Sequence, residues 1–212
     1  MNVRWARLAL VAASIAALTG CVPGADATPS TPPAGTTASA TPSPSTAPAD
    51  DTPMQSPQVL DDPSTWIVSG AGIGPLKRGA AFDPAAPGTG PYAVEATACP
   101  NPLVTYLEGE GLANLSVVTE EDGSAIAFVQ VTSWGTPGAV VSPSTAAGIR
   151  LGATLSELEA AYPGIQQTGT SNNSRLFAVE DSDGWIVFWM DDEAVVNISA
   201  VPTSNVPSEL CG

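Results

Sequence analysis

The chain has 212 residues, with 6 Lys and Arg, 21 Asp and Glu, no His, and a formal charge of −15. So acidic a protein is repelled by nucleic acid, whose phosphates are held by Lys and Arg. The lack of His removes the commonest general base and metal ligand, and three Cys cannot form a four-thiolate zinc site.

Arg4 and Arg7 give the N-terminus a positive charge, and Leu8 to Leu18 is a mostly apolar run of 11 residues. That is short of the roughly 20 residues of a membrane span and suits the core of a signal peptide. The run ends Leu18-Thr19-Gly20-Cys21. This resembles the bacterial lipobox, a branched apolar residue and two small residues before a Cys. The resemblance implies cleavage of residues 1–20, diacylation of the Cys21 sulfur, and a membrane as partner through the lipid. Two acyl chains give stable anchoring at about 0.8 kcal/mol per buried CH₂. The expected location is the outer, extracytoplasmic face of the cell membrane. Cleavage leaves Lys77, Arg78, Arg150 and Arg175 against 21 acids, a charge of −17 that anionic headgroups repel.

Residues 21–57 hold the lipidated Cys and then a stretch of Ala, Thr, Ser, Pro and Gly with nine prolines and no aromatic residue. Such a segment cannot bury enough apolar surface to offset its ordering entropy. It reads as a disordered stalk biased toward polyproline II, with a reach on the order of 100 Å. Its composition also suits O-glycosylation.

Residues 58–212 read as the globular domain. In its first part, Leu103 to Glu108, Ala113 to Thr119 and Ser124 to Val131 have strand character, with Glu121-Asp122-Gly123 as a turn. Ahead of them, Pro84 and Pro87 restrict any helix after Phe82 to about one turn. In its second part, Thr154-Leu155-Ser156-Glu157 fits a capping box and predicts a helix over 155–162, stopped by Pro163. Strands follow at Arg175 to Glu180, Trp185 to Met190 and Val195 to Val201, joined by Asp- and Gly-bearing turns. The middle one is apolar on both faces, Trp185, Val187 and Trp189 opposite Ile186, Phe188 and Met190. Aligning Gly79 with Gly152, Leu76 with Ile149 and Phe82 with Leu155 gives two units, about 66–132 and 145–201. The expected fold class is α+β and mostly β: two repeats, each a short helix and an antiparallel β-meander, stapled by one disulfide.

The pattern Gly148-Ile149, Gly152, Thr154 and Glu157-Leu158, then a short helix and hairpin strands, resembles the repeat of beta-lactamase inhibitor proteins. It is also similar to the small lipoproteins of outer-membrane assembly. The likeness covers 148–201 more fully than 74–131. The overall layout is similar to envelope lipoproteins of high-GC Gram-positive bacteria. These resemblances imply an α+β fold and protein binding, and they carry over no inhibitory residue.

With Cys21 lipidated, Cys99 and Cys211 remain, and an exported domain with two Cys pairs them. Closing that loop stabilises by about 4–5 kcal/mol on the chain-entropy account. No catalytic residue is expected. Lys77, the only Lys, lies in no Ser-x-x-Lys motif, and with 21 acids a chance carboxylate pair means little. Asp181-x-Asp183-Gly184 departs from a calcium loop, because Met190 stands where a Glu is needed. No metal and no cofactor are expected. Trp134 stands in Ser133-Trp134-Gly135-Thr136-Pro137-Gly138, and reads either as a lid folded onto the core or as an exposed binding anchor. The resulting expectation is a non-enzymatic module with an envelope protein partner. The alternative is a carrier of a small ligand or cation, from the acidic turns and tryptophans.

Overall fold

The computed structural model describes residues 58–95, 99–133, 135–171, 173–207 and 209–211. Twelve strands can be named among them: β1 Ile67–Ser69, β2 Gly72–Ile73, β3 Leu76–Lys77, β4 Ala93–Val94, β5 Val104–Glu108, β6 Asn114–Thr119, β7 Ile126–Thr132, β8 Ser144–Thr145, β9 Gln166–Ser171, β10 Ser174–Asp181, β11 Gly184–Asp191 and β12 Ala194–Val201. One α-helix, α1, covers Leu155–Ala161. Thr154 Oγ1 accepts the Glu157 amide, and the Glu157 carboxylate accepts the Thr154 amide at 2.7 Å. Two donors that a helix start leaves unpaired are thus satisfied by one reciprocal pair.

The main sheet has eight antiparallel strands in the order β4-β5-β6-β7-β12-β11-β10-β9. Each half is a four-stranded meander, and the halves join through their last strands, with Asn197 opposite Thr132 and Ser199 opposite Gln130. Alternation along the strands sorts side chains onto two faces. On the first face Leu107, Leu115, Val117, Val129, Val131, Phe188 and Ile198 are buried, together with Trp66, Leu151 and Leu158 from the elements that cover it. A small sheet, β3-β2-β1-β8, belongs to this covering layer. The second face carries Phe128, Leu176, Val187, Trp189 and Val201, and Val206 from the C-terminal segment lies on them. Ile186, Phe188 and Met190 thus separate from Val187 and Trp189 as the alternation requires.

The protein is therefore mostly β, as expected, but among the described residues it has one α-helix rather than one in each repeat. Among the described residues no α-helix precedes Leu155. After Phe82 the chain runs through turns, because Ala81 offers no cap and Pro84 and Pro87 withhold amide donors. No helix among the described residues is long and apolar enough to cross a membrane.

Arg78 binds the covering layer to the sheet. Its Nη1 donates to the carbonyls of Gly70 (2.8 Å), Asp183 (2.8 Å) and Val201 (3.2 Å), and its Nε donates to Ala127. A Cβ on Gly184 would fall on Arg78 Nη1 and the Val201 carbonyl, and φ there is +146°, so glycine is required.

Candidate functional site

Beyond Val201 the chain cannot extend the ladder, since Pro202 and Pro207 have no N–H to donate. It turns back over the second sheet face as a strap. Cys211 is bonded to Cys99, with Cα atoms 5.3 Å apart. Asn101 Nδ2 donates to the Leu210 carbonyl at 2.9 Å, while Asn101 Oδ1 accepts the Leu103 amide and so starts β5. The Tyr106 hydroxyl stands 3.3 Å from Cys211 Sγ. Burial raises the Tyr106 phenol above its ordinary range, so it stays protonated. Val206 is buried against the sheet and Leu210 is half-buried beside it.

Beneath the strap the register places polar side chains in two transverse rows. Tyr106 faces Ser116, Ser116 faces Gln130, and Gln130 faces Ser199. In the next row Asn114 faces Thr132, Thr132 faces Asn197, and Asn197 faces Trp189. Ser116, Gln130 and Ser199 are 2%, 5% and 0% exposed, which sets them apart from ordinary surface polar residues. Strap and sheet border an open cleft of about 330 Å³, with Gln130, Thr132, Asn197 and Trp189 on the sheet side. Trp189 is 9% exposed, and its indole Nε1 is buried with no hydrogen-bond partner among the described residues.

The disulfide between Cys99 and Cys211 matches the sequence expectation. Cys21 and Trp134 both lie outside the described residues, so neither the anchor nor the Trp134 side chain enters this geometry. The connection that follows Trp134 carries an exposed Val141, 44% accessible. Lys77 is half-buried at the end of β3, where burial pulls its ammonium below the ordinary range. The acidic turns are used within the fold. Asp181 accepts the Gly70 amide at 2.8 Å and the Ser182 amide at 2.7 Å. The Asp192 carbonyl accepts Arg175 Nη2 at 2.9 Å. Among the described residues no group of three His, Cys, Asp or Glu could hold a metal ion.

Sequence reading had missed the buried polar rows. Their signal is present, since Ser116, Gln130, Asn197 and Ser199 each interrupt an otherwise apolar strand at alternate positions. Only the pairing of β7 with β12 brings the four together. No protein-family model, curated protein or solved structure matches the chain.

Proposed function

We propose that the protein is a lipid-anchored module on the outer face of the cell membrane, without enzymatic activity, that engages a protein of the envelope. The anchor reading rests on the lipobox-like Leu18-Thr19-Gly20-Cys21 after a signal-type segment. The Pro-rich residues 22–57 then act as a stalk that lifts the domain away from the bilayer.

The two meanders, joined last strand to last strand, support reading the domain as a tandem repeat whose first copy has lost its helix. The single observation that favours protein contact is the connection between the meanders. It carries Trp134 and, seven residues on, the exposed Val141. An apolar residue held out of the core, seven positions along the sequence from a tryptophan, is the composition of a contact anchor.

Crosslinking of the full chain to envelope extract from its own host, with Trp134→Ala and Val141→Asp alongside, tests this. A specific partner lost in both variants supports the reading and locates the face. A partner retained in both removes the site. The absence of any partner removes the protein-contact reading. The anchor has its own test, since labelled palmitate should enter the wild type and not Cys21→Ala.

A further inference from the structure

The strap is attached to the sheet differently from the strand that leads into it. β12 is hydrogen-bonded to β7 on one side and to β11 on the other, as far as Val201 opposite Trp185. Past Val201 that pairing ends. Among the described residues of 202–211, no backbone hydrogen bond reaches the sheet. Their holds are the buried Val206 side chain, the Asn101 amide on the Leu210 carbonyl, the Tyr106 hydroxyl at Cys211, and the bond from Cys211 to Cys99. Pro202, Thr203, Asn205, Pro207 and Glu209 are exposed. A segment with little burial and no ladder lies at the low-stability end of a fold. The disulfide is its main restraint.

That bond is open to exchange. Cys99 and Cys211 are half-buried, and disulfides that keep some exposure are the ones thiols reduce. The two sulfurs are not equivalent. The Tyr106 hydroxyl stands 3.3 Å from Cys211 Sγ, and burial keeps the phenol protonated. An O–H there stabilises negative charge developing on Cys211 Sγ and makes it the better leaving group. Among the described residues no donor faces Cys99 Sγ, whose neighbour is the Leu210 carbonyl oxygen at 3.8 Å.

We infer that the Cys99–Cys211 bond is a redox-controlled clasp, opened by a dithiol reductant to free the strap from the second sheet face. One thiolate of the reductant attacks Cys99 Sγ and forms a mixed disulfide as the Cys99–Cys211 bond breaks. The bonding pair leaves on Cys211 Sγ, beside the Tyr106 hydroxyl. The second thiolate closes the reductant's own disulfide and releases Cys99. Two electrons pass to the cysteines, and the two protons given up by the dithiol end on their thiols. The sheet persists, because no ladder bond is lost. Release uncovers the apolar cluster on which Val206 lies, including Phe128, Val187 and Trp189. The clasp stands independently of the protein-contact reading, and either can fail without the other.

The test uses the full ¹⁵N-labelled chain in detergent, with free thiols alkylated first and dithiothreitol as the dithiol. On complete reduction the strap amides should move to random-coil positions while those of β10, β11 and β12 keep their dispersion. Removing the reductant in air should restore the starting spectrum. Strap signals unchanged in the fully reduced protein overturn the proposal, since other contacts then hold the strap. A spectrum that collapses throughout also overturns it, since the bond then maintains the whole fold. Glutathione tests the direction of opening. Quenched early with iodoacetamide, the wild type should carry glutathione on Cys99 and the alkyl group on Cys211. Tyr106→Phe should lose that preference and be reduced about three- to tenfold more slowly. Glutathione found on Cys211 in the wild type, or reduction of Tyr106→Phe at an equal or higher rate, overturns the assignment of Cys211 as the leaving group.

Discussion

The two halves of the eight-stranded sheet share a meander topology and differ in how they are held. In the second half β10 and β11 pair over seven consecutive positions, from Arg175 opposite Met190 to Asp181 opposite Gly184. Both faces of β11 are apolar and buried, and α1 adds Leu158 and Tyr162, whose ring lies 5.6 Å from that of Phe188. In the first half β4 is two residues long and exposed, and the second face bears Ser116, Gln130 and Asn114 where its counterpart bears Val187 and Trp189. The compensation is a covalent one. Cys99, just ahead of β5, is tied to Cys211 of the strap. One half is stabilised by burying apolar area on both sides, whereas the other keeps a polar face and is closed by a crosslink. Polar groups under a strap bury less hydrophobic area, and a disulfide raises the free energy of the unfolded chain instead.

The largest expected effect strikes the apolar half. Phe188→Ala removes a fully buried ring between α1 and the sheet and should cost about 3–5 kcal/mol. Denaturant unfolding at neutral pH measures it, and a loss below about 1 kcal/mol would mean that α1 does not close the core over β11. Next comes the crosslink. Cys99→Ser together with Cys211→Ser should cost about 2–5 kcal/mol. The comparison predicts where that loss appears. Amide exchange should rise first in β4 and β5, with β10 and β11 protected longest. Uniform exchange across both halves would show that the sheet opens as one unit and that the crosslink serves the whole of it.

Much of this difference was legible in the residues, and the illegible part has physical causes. The capping box announced α1 because Thr154 and Glu157 satisfy each other locally, within four residues. The paired runs around Asp181-Ser182-Asp183-Gly184 announced β10 and β11 because a short turn fixes register. By contrast β9, Gln166–Ser171, has no apolar period at all and is a strand only because β10 offers it an edge. The small sheet is built of pieces two or three residues long, and β1 pairs in parallel with β8, Val68 opposite Thr145, across 77 positions. No local pattern encodes such a contact. The short helical element expected after Phe82 is absent because Ala81 supplies no cap and Pro84 and Pro87 withhold amide donors, so that not even the one turn they allow is formed as α-helix. Of the site, the cysteine pair could be read by counting, while the polar rows needed the β7–β12 register.

The smallest expected effect isolates the one feature that the second half has and the first lacks. Thr154→Ala removes the N-cap of α1 and should cost about 1 kcal/mol, a fall in Tm of about 2–4 °C. Its partner, Glu157, adds a pH dependence whose direction can be derived. The carboxylate accepts the Thr154 amide at 2.7 Å and the Thr154 hydroxyl at 2.8 Å, and Arg150 lends its charge. These contacts favour the ionised form and hold the carboxyl below its ordinary value of 4.5. A carboxyl lowered by folding contributes its stability in full above its unfolded value and loses it as pH falls through the folded one. The Tm difference between wild type and Glu157→Gln should therefore be constant from neutral pH down to about 5 and shrink below about 4. Gln keeps one acceptor oxygen and can hold the Thr154 amide, so the difference reports the charge and not the cap itself. In the Thr154→Ala background the same difference should nearly vanish, because the hydroxyl donor is gone and the cap is open. A pH-dependent difference that persists there would place the Glu157 contribution in the helix dipole and the Arg150 charge rather than in the reciprocal pair.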